Sequence, residues 1–131
     1  MSAASTRSLP FSTYLEYDAM GLASLVQRGE VSAAELLNTA LERTAEVNPT
    51  INAVVGLCEA SAREQLKQGL PEGALSGVPF LLKDLFIDLE GTPTTSGSRF
   101  LQHNVARHDS VVAQRYRQAG LLMFGKTHSS E

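Results

Sequence analysis

The sequence predicts an α/β fold in which a β-sheet is flanked by helices on both sides and preceded by two amphipathic helices. Three observations support this prediction. Apolar residues recur at helical spacing between residues 18 and 47. Further along the chain, short apolar runs alternate with helical segments, the pattern of an α/β sheet. Those runs are also too continuously apolar for strands with one face in water.

Composition limits the size and the partners of the protein. With 131 residues and 43% hydrophobic content, the chain suffices for one domain or part of one. The net charge is −3 and the basic residues are dispersed, so the sequence contains no basic patch that would bind nucleic acid or an anionic membrane. The first ten residues lack the apolar core of a secretory signal, and no later run is long enough to span a membrane. We therefore expect a soluble, cytoplasmic protein that binds neither nucleic acid nor membrane.

The amino-terminal region contains a tail and a first short helix. Residues 1–12 are rich in serine and alanine without periodicity, which predicts a mobile tail. From Asp18 to Gly29 the apolar spacing is helical, so Asp18 is the predicted N-cap and Gly29 lies just past the end. The predicted apolar face of this helix consists of Met20, Leu22, Leu25 and Val26.

The second helix has the clearest start signal in the chain. Ser32 and Glu35 have the spacing of a capping box, in which each side chain accepts a hydrogen bond from the other residue's backbone. We expect Asn48-Pro49 to end the helix, because the residue before proline resists the helical conformation. The helical pair is therefore predicted to occupy residues 18–47. Its second apolar stripe consists of Leu36, Leu37, Ala40, Leu41 and Val47.

Residues 51–131 are the predicted α/β portion. Helices are expected from Glu59 to Gln68, ended by Gly69, and from Asp109 or Ser110 to a stop at Gly120. Turn-forming residues predict a surface loop over 91–98. The predicted strands cover residues 51–55, 80–85 and 121–124.

Cysteine and histidine give no sign of a metal site. A single cysteine, Cys58, excludes an internal disulfide, and we interpret it as a small buried apolar residue. His103, His108 and His128 lack metal-ligand spacing and are expected on the surface or in loops. We expect neither a metal nor a cofactor.

Lys83 is the most unusual residue for a chain of this kind, because it closes the apolar run Val78–Leu82. On a buried strand, loss of water would disfavour the charged form of a lysine and produce a neutral amine that can act as a base. The ordinary alternative is that the strand ends at Leu82, so that the amine reaches solvent and pairs with Asp84 or Asp88.

Five ordered segments resemble the amino-terminal part of one family, the amidase signature hydrolases. This family cleaves carboxamides with a serine nucleophile, a second serine and a lysine. The resemblance covers about residues 18–131 and implies the mixed β-sheet of that family's fold. The matching segments are residues 32–36, 48–53, 75–84, 91–98 and 120–127, followed by Glu131.

The resemblance implies a role for Lys83, which occupies the lysine position of the family's Gly-Val-Pro…Lys-Asp motif. There the neutral amine takes a proton from the intermediate serine, which takes one from the nucleophile. The family's Gly/Ser-rich segment, which carries both serines and the oxyanion donors, has no counterpart in residues 1–131. We therefore expect an incomplete amidase signature domain, the amino-terminal portion of a longer enzyme, inactive alone and acting on a small-molecule amide when complete.

Other residues could in principle provide catalysis. Ser96 or Ser98 could form a Ser-Lys dyad with Lys83, but turn chemistry accounts for both serines. The same reasoning applies to Ser129 and Ser130. Lys126 also follows an apolar run, and we interpret it as structural.

Two alternative functions remain open at this point. One is the A subunit of a tRNA-dependent amidotransferase, which releases ammonia from glutamine by the same chemistry. The other is a non-catalytic interaction module that uses the exposed faces of the first two helices. An incomplete sheet leaves a strand edge uncovered, so self-association into a homo-oligomer is also expected.

Overall fold

The computed structural model describes residues 7–129 and contains a three-stranded mixed sheet with helices on both faces. The strand order is β1-β3-β2, with β3 antiparallel to β1 and parallel to β2. The predicted α/β class and mixed sheet are confirmed. The elements are α1 (Phe11–Tyr14), α2 (Ala19–Gln27), α3 (Ala33–Ile51), β1 (Val54–Leu57), α4 (Glu59–Gln68), β2 (Pro79–Lys83), a 3₁₀ turn (Arg99–Leu101), α5 (Val111–Gln118) and β3 (Leu122–Thr127).

Both predicted caps of the helical pair are present. The Asp18 carboxylate accepts a hydrogen bond from the Gly21 N–H at 2.8 Å and starts α2. The capping box of α3 is complete, because Glu35 N donates to Ser32 Oγ at 3.1 Å and Ser32 N donates to Glu35 Oε2 at 2.7 Å. The placement of Met20 on the buried face of α2 is wrong: it is 56% exposed, and Ala23 is buried with its neighbours instead.

The predicted end of α3 is wrong, because the helix runs through Pro49 to Ile51. Proline removes a hydrogen bond to the carbonyl of Ala45, but Pro49 lies in the last turn of the helix, where only this one bond is lost. The helix ends where Asn52 adopts a left-handed conformation with φ 48°. The Asn48 side chain then bonds both N and O of Val54, at 2.8 and 2.9 Å, and leads the chain into β1.

The segment predicted as a tail is partly bound to α3. Asn38 Nδ2 donates to the Arg7 carbonyl at 2.7 Å, and Thr39 Oγ1 donates to the Leu9 carbonyl at 2.7 Å. Both side chains are buried, which apolar periodicity does not predict for an asparagine and a threonine. The prediction of a mobile tail is therefore wrong for residues 7–12, which bind to α3 and begin α1. Residues 1–6 lie outside the described residues.

Alternate residues of the strands pack on opposite faces of the sheet. On one face Leu122 and Phe124 of β3 contact α3 and α4 through Leu37 and Ala62. On the other face Leu82 of β2 and Met123 of β3 pack with Leu89, and Tyr116 of α5 lies against them. Helices therefore cover both faces, as the apolar character of the strands predicts.

The strands begin and end at residues other than those predicted. Strand β1 starts at Val54 because Asn52 ends α3, and β2 starts at Pro79 and ends at Lys83. Strand β3 continues beyond the apolar run to Thr127, which places Lys126 inside it. Helix α4 has the predicted bounds, and Gly69 follows it with φ 89°. Ser110 occupies the N-cap position of α5, one of the two residues proposed for it.

Gly120 permits the close approach between the end of α5 and the loop before β2. A Cβ there would lie 2.5 Å from Ser76 Cα, and the φ of 86° independently disfavours other residues. The Gly77 N–H donates to the Gly120 carbonyl at 2.9 Å, which aligns the starts of β2 and β3. Within residues 7–129, none of the helices has both the length and the apolar character needed to cross a membrane.

Candidate functional site

The candidate site lies where the parallel strands β2 and β3 end side by side. Lys83 pairs with Thr127, and the next residue, Asp84, donates its N–H to the Thr127 carbonyl at 3.0 Å. Thr127 Oγ1 donates to the Leu82 carbonyl at 3.3 Å, so the Lys83 backbone lies between two ties to β3. In open α/β sheets, ligands bind beyond the carboxyl ends of the strands, which is the position of Lys83.

The Lys83 side chain is exposed, so the interpretation of a lysine buried on its strand is wrong for this chain. The ordinary alternative is correct in part. The strand extends through Lys83 rather than ending at Leu82, and the amine reaches solvent. Within residues 7–129 no ion pair links Lys83 to Asp84 or Asp88.

A bulge in β3 decides which face each lysine occupies. The pairing runs from Phe80 with Met123 directly to Leu81 with Gly125, so Phe124 is the extra residue of β3. In a regular ladder, with Phe124 opposite Leu81, Lys126 would pair with Lys83 and lie on the face of Phe124. The bulge places Lys126 opposite Leu82, on the face of Met123, and Lys83 on the opposite face of the sheet.

Asp84 closes the base of the loop that follows Lys83. Its side chain is 2% exposed, and its carboxylate accepts hydrogen bonds from Thr95 N at 2.8 Å and from Thr95 Oγ1. Buried carboxylates need such donors, because desolvation of an unpartnered charge is strongly unfavourable. The contact joins the two ends of residues 84–95, which we call the 84–95 loop.

Lys126 provides a second and deeper contact to the 84–95 loop. It is 4% exposed, and its Nζ lies 3.0 Å from Ile87 O, 3.4 Å from Pro93 O and 3.3 Å from Thr94 Oγ1. An ammonium has three donors, and these three oxygens satisfy all of them. Burial lowers the pKa of Lys126 below its ordinary value, while the carboxylates of Asp84 and Asp88 act in the opposite direction.

A cavity of about 590 Å³ opens beside this cluster. Its lining includes Asp84, Thr95, Lys126 and two residues of β1, Val55 and Leu57, but not Lys83. Cys58 also lines it, and its thiol lies 3.7 Å from the Met123 carbonyl. Burial raises the pKa of the Cys58 thiol more than the positive charges of Lys126 and Arg117 lower it, so the thiol is kept in its protonated form. Cys58 is half-buried rather than fully buried.

The serines near the loop have local structural roles. Ser98 Oγ accepts from the Phe100 N–H at 3.3 Å and caps the 3₁₀ turn, and Ser96 sits at a left-handed position with φ 53°. Within residues 7–129, no hydrogen bond joins a serine hydroxyl to Lys83. Ser129 is buried, whereas Ser130 and Glu131 lie outside the described residues.

The three histidines are exposed, as the sequence predicts. They are His103, His108 and His128. In the part of the chain that the structure describes, no group of three or more His, Cys, Asp or Glu residues could hold a metal ion.

Comparison with known proteins identifies the family. The Amidase family matches residues 35–131, which is most of the chain. The chain belongs to the amidase family. Its sequence is 40% identical over 117 residues to a 6-aminohexanoate-cyclic-dimer hydrolase of Paenarthrobacter ureafaciens, covering 87% of this chain and 23% of that protein. It is 38% identical over 120 residues to the A subunit of a glutamyl-tRNA(Gln) amidotransferase of Acidothermus cellulolyticus, covering 86% of this chain and 24% of that protein.

A solved structure supports the same fold for this amidase sequence. A 6-aminohexanoate cyclic dimer hydrolase in complex with substrate superposes with a TM-score of 0.81 at 38% identity, covering 89% of this chain and 24% of that one. The chain thus spans about a quarter of the length of the relatives that it matches. The resemblance stated from the sequence motifs is confirmed at the level of family and fold.

Sequence reasoning missed the environment of Lys126. Its position after the apolar residues Leu121–Phe124 is visible in the sequence, but the predicted strand ends too early. The available signal was Gly125: glycine continues a strand where another backbone comes close, and a Cβ there would lie 2.7 Å from Gly56 O. The sequence pattern did not indicate the contact between Asp84 and Thr95, because these residues lie 11 positions apart at the two ends of a loop.

Proposed function

We propose that this chain supplies the lysine base of a carbon–nitrogen hydrolase that cleaves carboxamides through a Ser-Ser-Lys relay. The observation that carries the proposal is the placement of Lys83. It projects from the carboxyl end of β2 into solvent, while its backbone is tied to β3 on both sides. A side chain so placed is accessible to groups from further segments of an amidase domain. The amidase membership of the chain supports the same role.

The proposed chemistry follows from the weak acidity of serine. A serine hydroxyl ionises too weakly to attack an amide unaided, so a neutral amine accepts its proton through a second serine. The nucleophilic oxygen forms a bond to the carbonyl carbon, and the relay returns the proton to the leaving amine as the C–N bond breaks. Water then releases the acid from the acyl-enzyme. For Lys83 to be neutral, the segment that covers it must also remove its water, because desolvation disfavours the ammonium form.

We propose that both serines come from a segment beyond residues 7–129. In support, Ser96 and Ser98 have turn and capping roles, and neither contacts Lys83. Residues 1–131 then form an incomplete amidase signature domain that is inactive alone. The proposed substrate is a small-molecule amide.

A hybrid enzyme tests the role of Lys83. In it, this chain replaces the matching quarter of the 6-aminohexanoate-cyclic-dimer hydrolase. We expect the hybrid to hydrolyse amides and Lys83→Ala to lower kcat/KM by roughly 10⁴-fold or more, as loss of a relay member does in other serine hydrolases. Lys83→Arg should be equally inactive, because a guanidinium keeps the charge but cannot accept a proton.

Lys67→Ala is the matched control, because Lys67 is an exposed lysine of α4 with a 78% exposed side chain. It should leave kcat/KM unchanged. If the full exchange does not fold, exchanging residues 76–131 alone retains Lys83 and both parallel strands. A folded hybrid without amide hydrolysis, or Lys83 variants within threefold of the unsubstituted hybrid, would contradict the proposal.

No residue of the site favours the alternative functions. The amidotransferase alternative predicts glutaminase activity and co-purification with partner subunits. The interaction-module alternative predicts binding without hydrolysis.

Self-association remains a proposal, supported by the exposed Val55 and Leu57 on the edge strand β1, and light scattering tests it. A cytoplasmic location is likewise a proposal, supported by the free thiol of Cys58, and cell fractionation tests it.

A further inference from the structure

Lys126 is buried although no carboxylate of residues 7–129 contacts its amine directly, and Asp84 and Asp88 act on its charge only from a greater distance. Among the ion pairs of residues 7–129, none involves Lys126, and all three acceptors of its ammonium are uncharged oxygens. An apolar side chain of the same length would avoid the desolvation of the charge. The specific contacts of the amine therefore require an explanation beyond packing.

All three acceptors belong to the 84–95 loop, and they come from both of its limbs. Ile87 lies in the outgoing limb, and Pro93 and Thr94 lie in the returning limb. The Thr94 hydroxyl also donates to the Ile87 carbonyl at 3.4 Å, so the limbs are joined directly as well. Since Lys126 projects from the central strand, its ammonium anchors the loop to the most buried part of the sheet.

The anchored loop begins immediately after Lys83. Asp84 is bound at one end of the loop by Thr95 and at the sheet by the Thr127 carbonyl. A loop that moved away from Lys126 would pull on Asp84 and on the strand end that carries Lys83. The bulge at Phe124 keeps Lys126 on the face opposite Lys83, so the two side chains lie on different faces of the sheet.

We propose that Lys126 is a positioning residue, whose buried ammonium holds the 84–95 loop against β3 and thereby fixes Lys83 at the end of β2. The inference rests on the proposed function of Lys83. It assigns Lys126 no contact with substrate. Its effect on catalysis passes through the loop and Asp84.

Hydrogen exchange of this chain tests the loop contact directly. Lys126→Met keeps the length of the side chain and removes the donors. We expect the amides of Asp84, Thr94 and Thr95 to exchange at least about tenfold faster, while those of α3 keep their protection. Thr94→Val is a milder variant that removes one acceptor, and it should accelerate the same amides less. Lys67→Met is the control and should change none of them.

An equal loss of protection throughout α3 and the sheet would mean that Lys126 only supports the core, and would overturn the proposal. Unchanged loop exchange in both Lys126→Met and Thr94→Val would overturn it as well. These outcomes do not depend on catalysis. They can therefore be told apart from a failure of the Lys83 assignment.

Kinetics in the active hybrid separates positioning from general support. We expect Lys126→Met to lower kcat about 10²-fold with little change in KM, the size of effect that misplacement of a catalytic group by about 1 Å produces. Equal kcat in the two proteins would overturn the positioning role. If Lys83→Ala retains activity, the relay assignment fails, and the exchange experiment still decides whether Lys126 holds the loop.

Discussion

The ends of β2 and β3 have similar sequences and opposite environments. Each is an apolar run followed within two residues by a lysine, yet Lys83 is exposed and Lys126 is 4% exposed. Two features produce the difference: the extra residue Phe124, which changes the face of Lys126, and the 84–95 loop, whose oxygens contact the Lys126 amine. The environment of a lysine at a strand end is therefore decided by register and by the loop above it, and not by the run that precedes it.

Charge reversal at the two positions should show the contrast most strongly. Lys126→Asp removes the donor from three oxygens of the 84–95 loop and leaves an unpaired carboxylate at a buried position of β3, so we expect a loss of about 3–5 kcal/mol in the free energy of unfolding. Lys83→Asp should change it by less than about 0.5 kcal/mol, as exposed substitutions do. Urea denaturation measures both. Similar losses in the free energy of unfolding for the two variants would show that Lys83 and Lys126 do not differ in burial as the structure indicates.

Removal of the Asp84 carboxylate should lower the free energy of unfolding less than Lys126→Asp does. Asp84→Ala leaves the N–H and hydroxyl of Thr95 without their acceptor, which we expect to cost about 1–3 kcal/mol. Thr95→Val keeps the N–H donor and should cost about 1 kcal/mol. Thermal or urea unfolding checks the order. The exposed Glu90→Ala serves as control, and a loss for Asp84→Ala no larger than for Glu90→Ala would contradict the role of the contact.

The contribution of Lys126 to the pH dependence of stability should be the smallest of these effects. Because burial lowers its pKa in the folded state, the unfolded chain binds more protons between that lowered pKa and the ordinary value of 10.5. The free energy of unfolding should therefore rise with pH in this window, by at most about 1.4 kcal/mol per pH unit.

The measurement is the difference between the unsubstituted chain and Lys126→Met in urea unfolding at several alkaline pH values. Burial also raises the pKa of Tyr14, but both proteins share this contribution and it cancels in the difference. Burial raises the pKa of Cys58 too, and the charge of Lys126 opposes that shift, so both proteins carry Cys58→Ala in this measurement. A difference that falls with pH would show that the folded state favours the charged amine.

Local chemistry made parts of the fold predictable. The caps at Asp18 and Ser32 are formed between residues three positions apart, and the bounds of α4 depend on signals in and beside the helix. The path of α3 through Pro49 was not predictable, because the end of the helix is decided by the left-handed Asn52 and by the bonds of Asn48 to Val54.

The site was predictable only in part for a similar reason. The motif around Lys83 is contiguous, so it indicated the family and the residue of interest. The burial of Lys126 depends on contacts with residues 32 to 39 positions away, and apolar periodicity contains no information about them. The buried Asn38 and Thr39 escaped prediction in the same way, since their partners lie 31 and 30 positions away.

The strand order β1-β3-β2 has a consequence for synthesis on the ribosome. The central strand is the last of the three along the chain, and the two outer strands pair with it and not with each other. A nascent chain can form α2 and α3 early, but no pair of strands can form until residues 122–127 leave the exit tunnel. Until then the apolar residues of β2 have no partner strand and are open to chaperones or to aggregation. The insertion of β3 is therefore the step at which both lysines acquire their final surroundings.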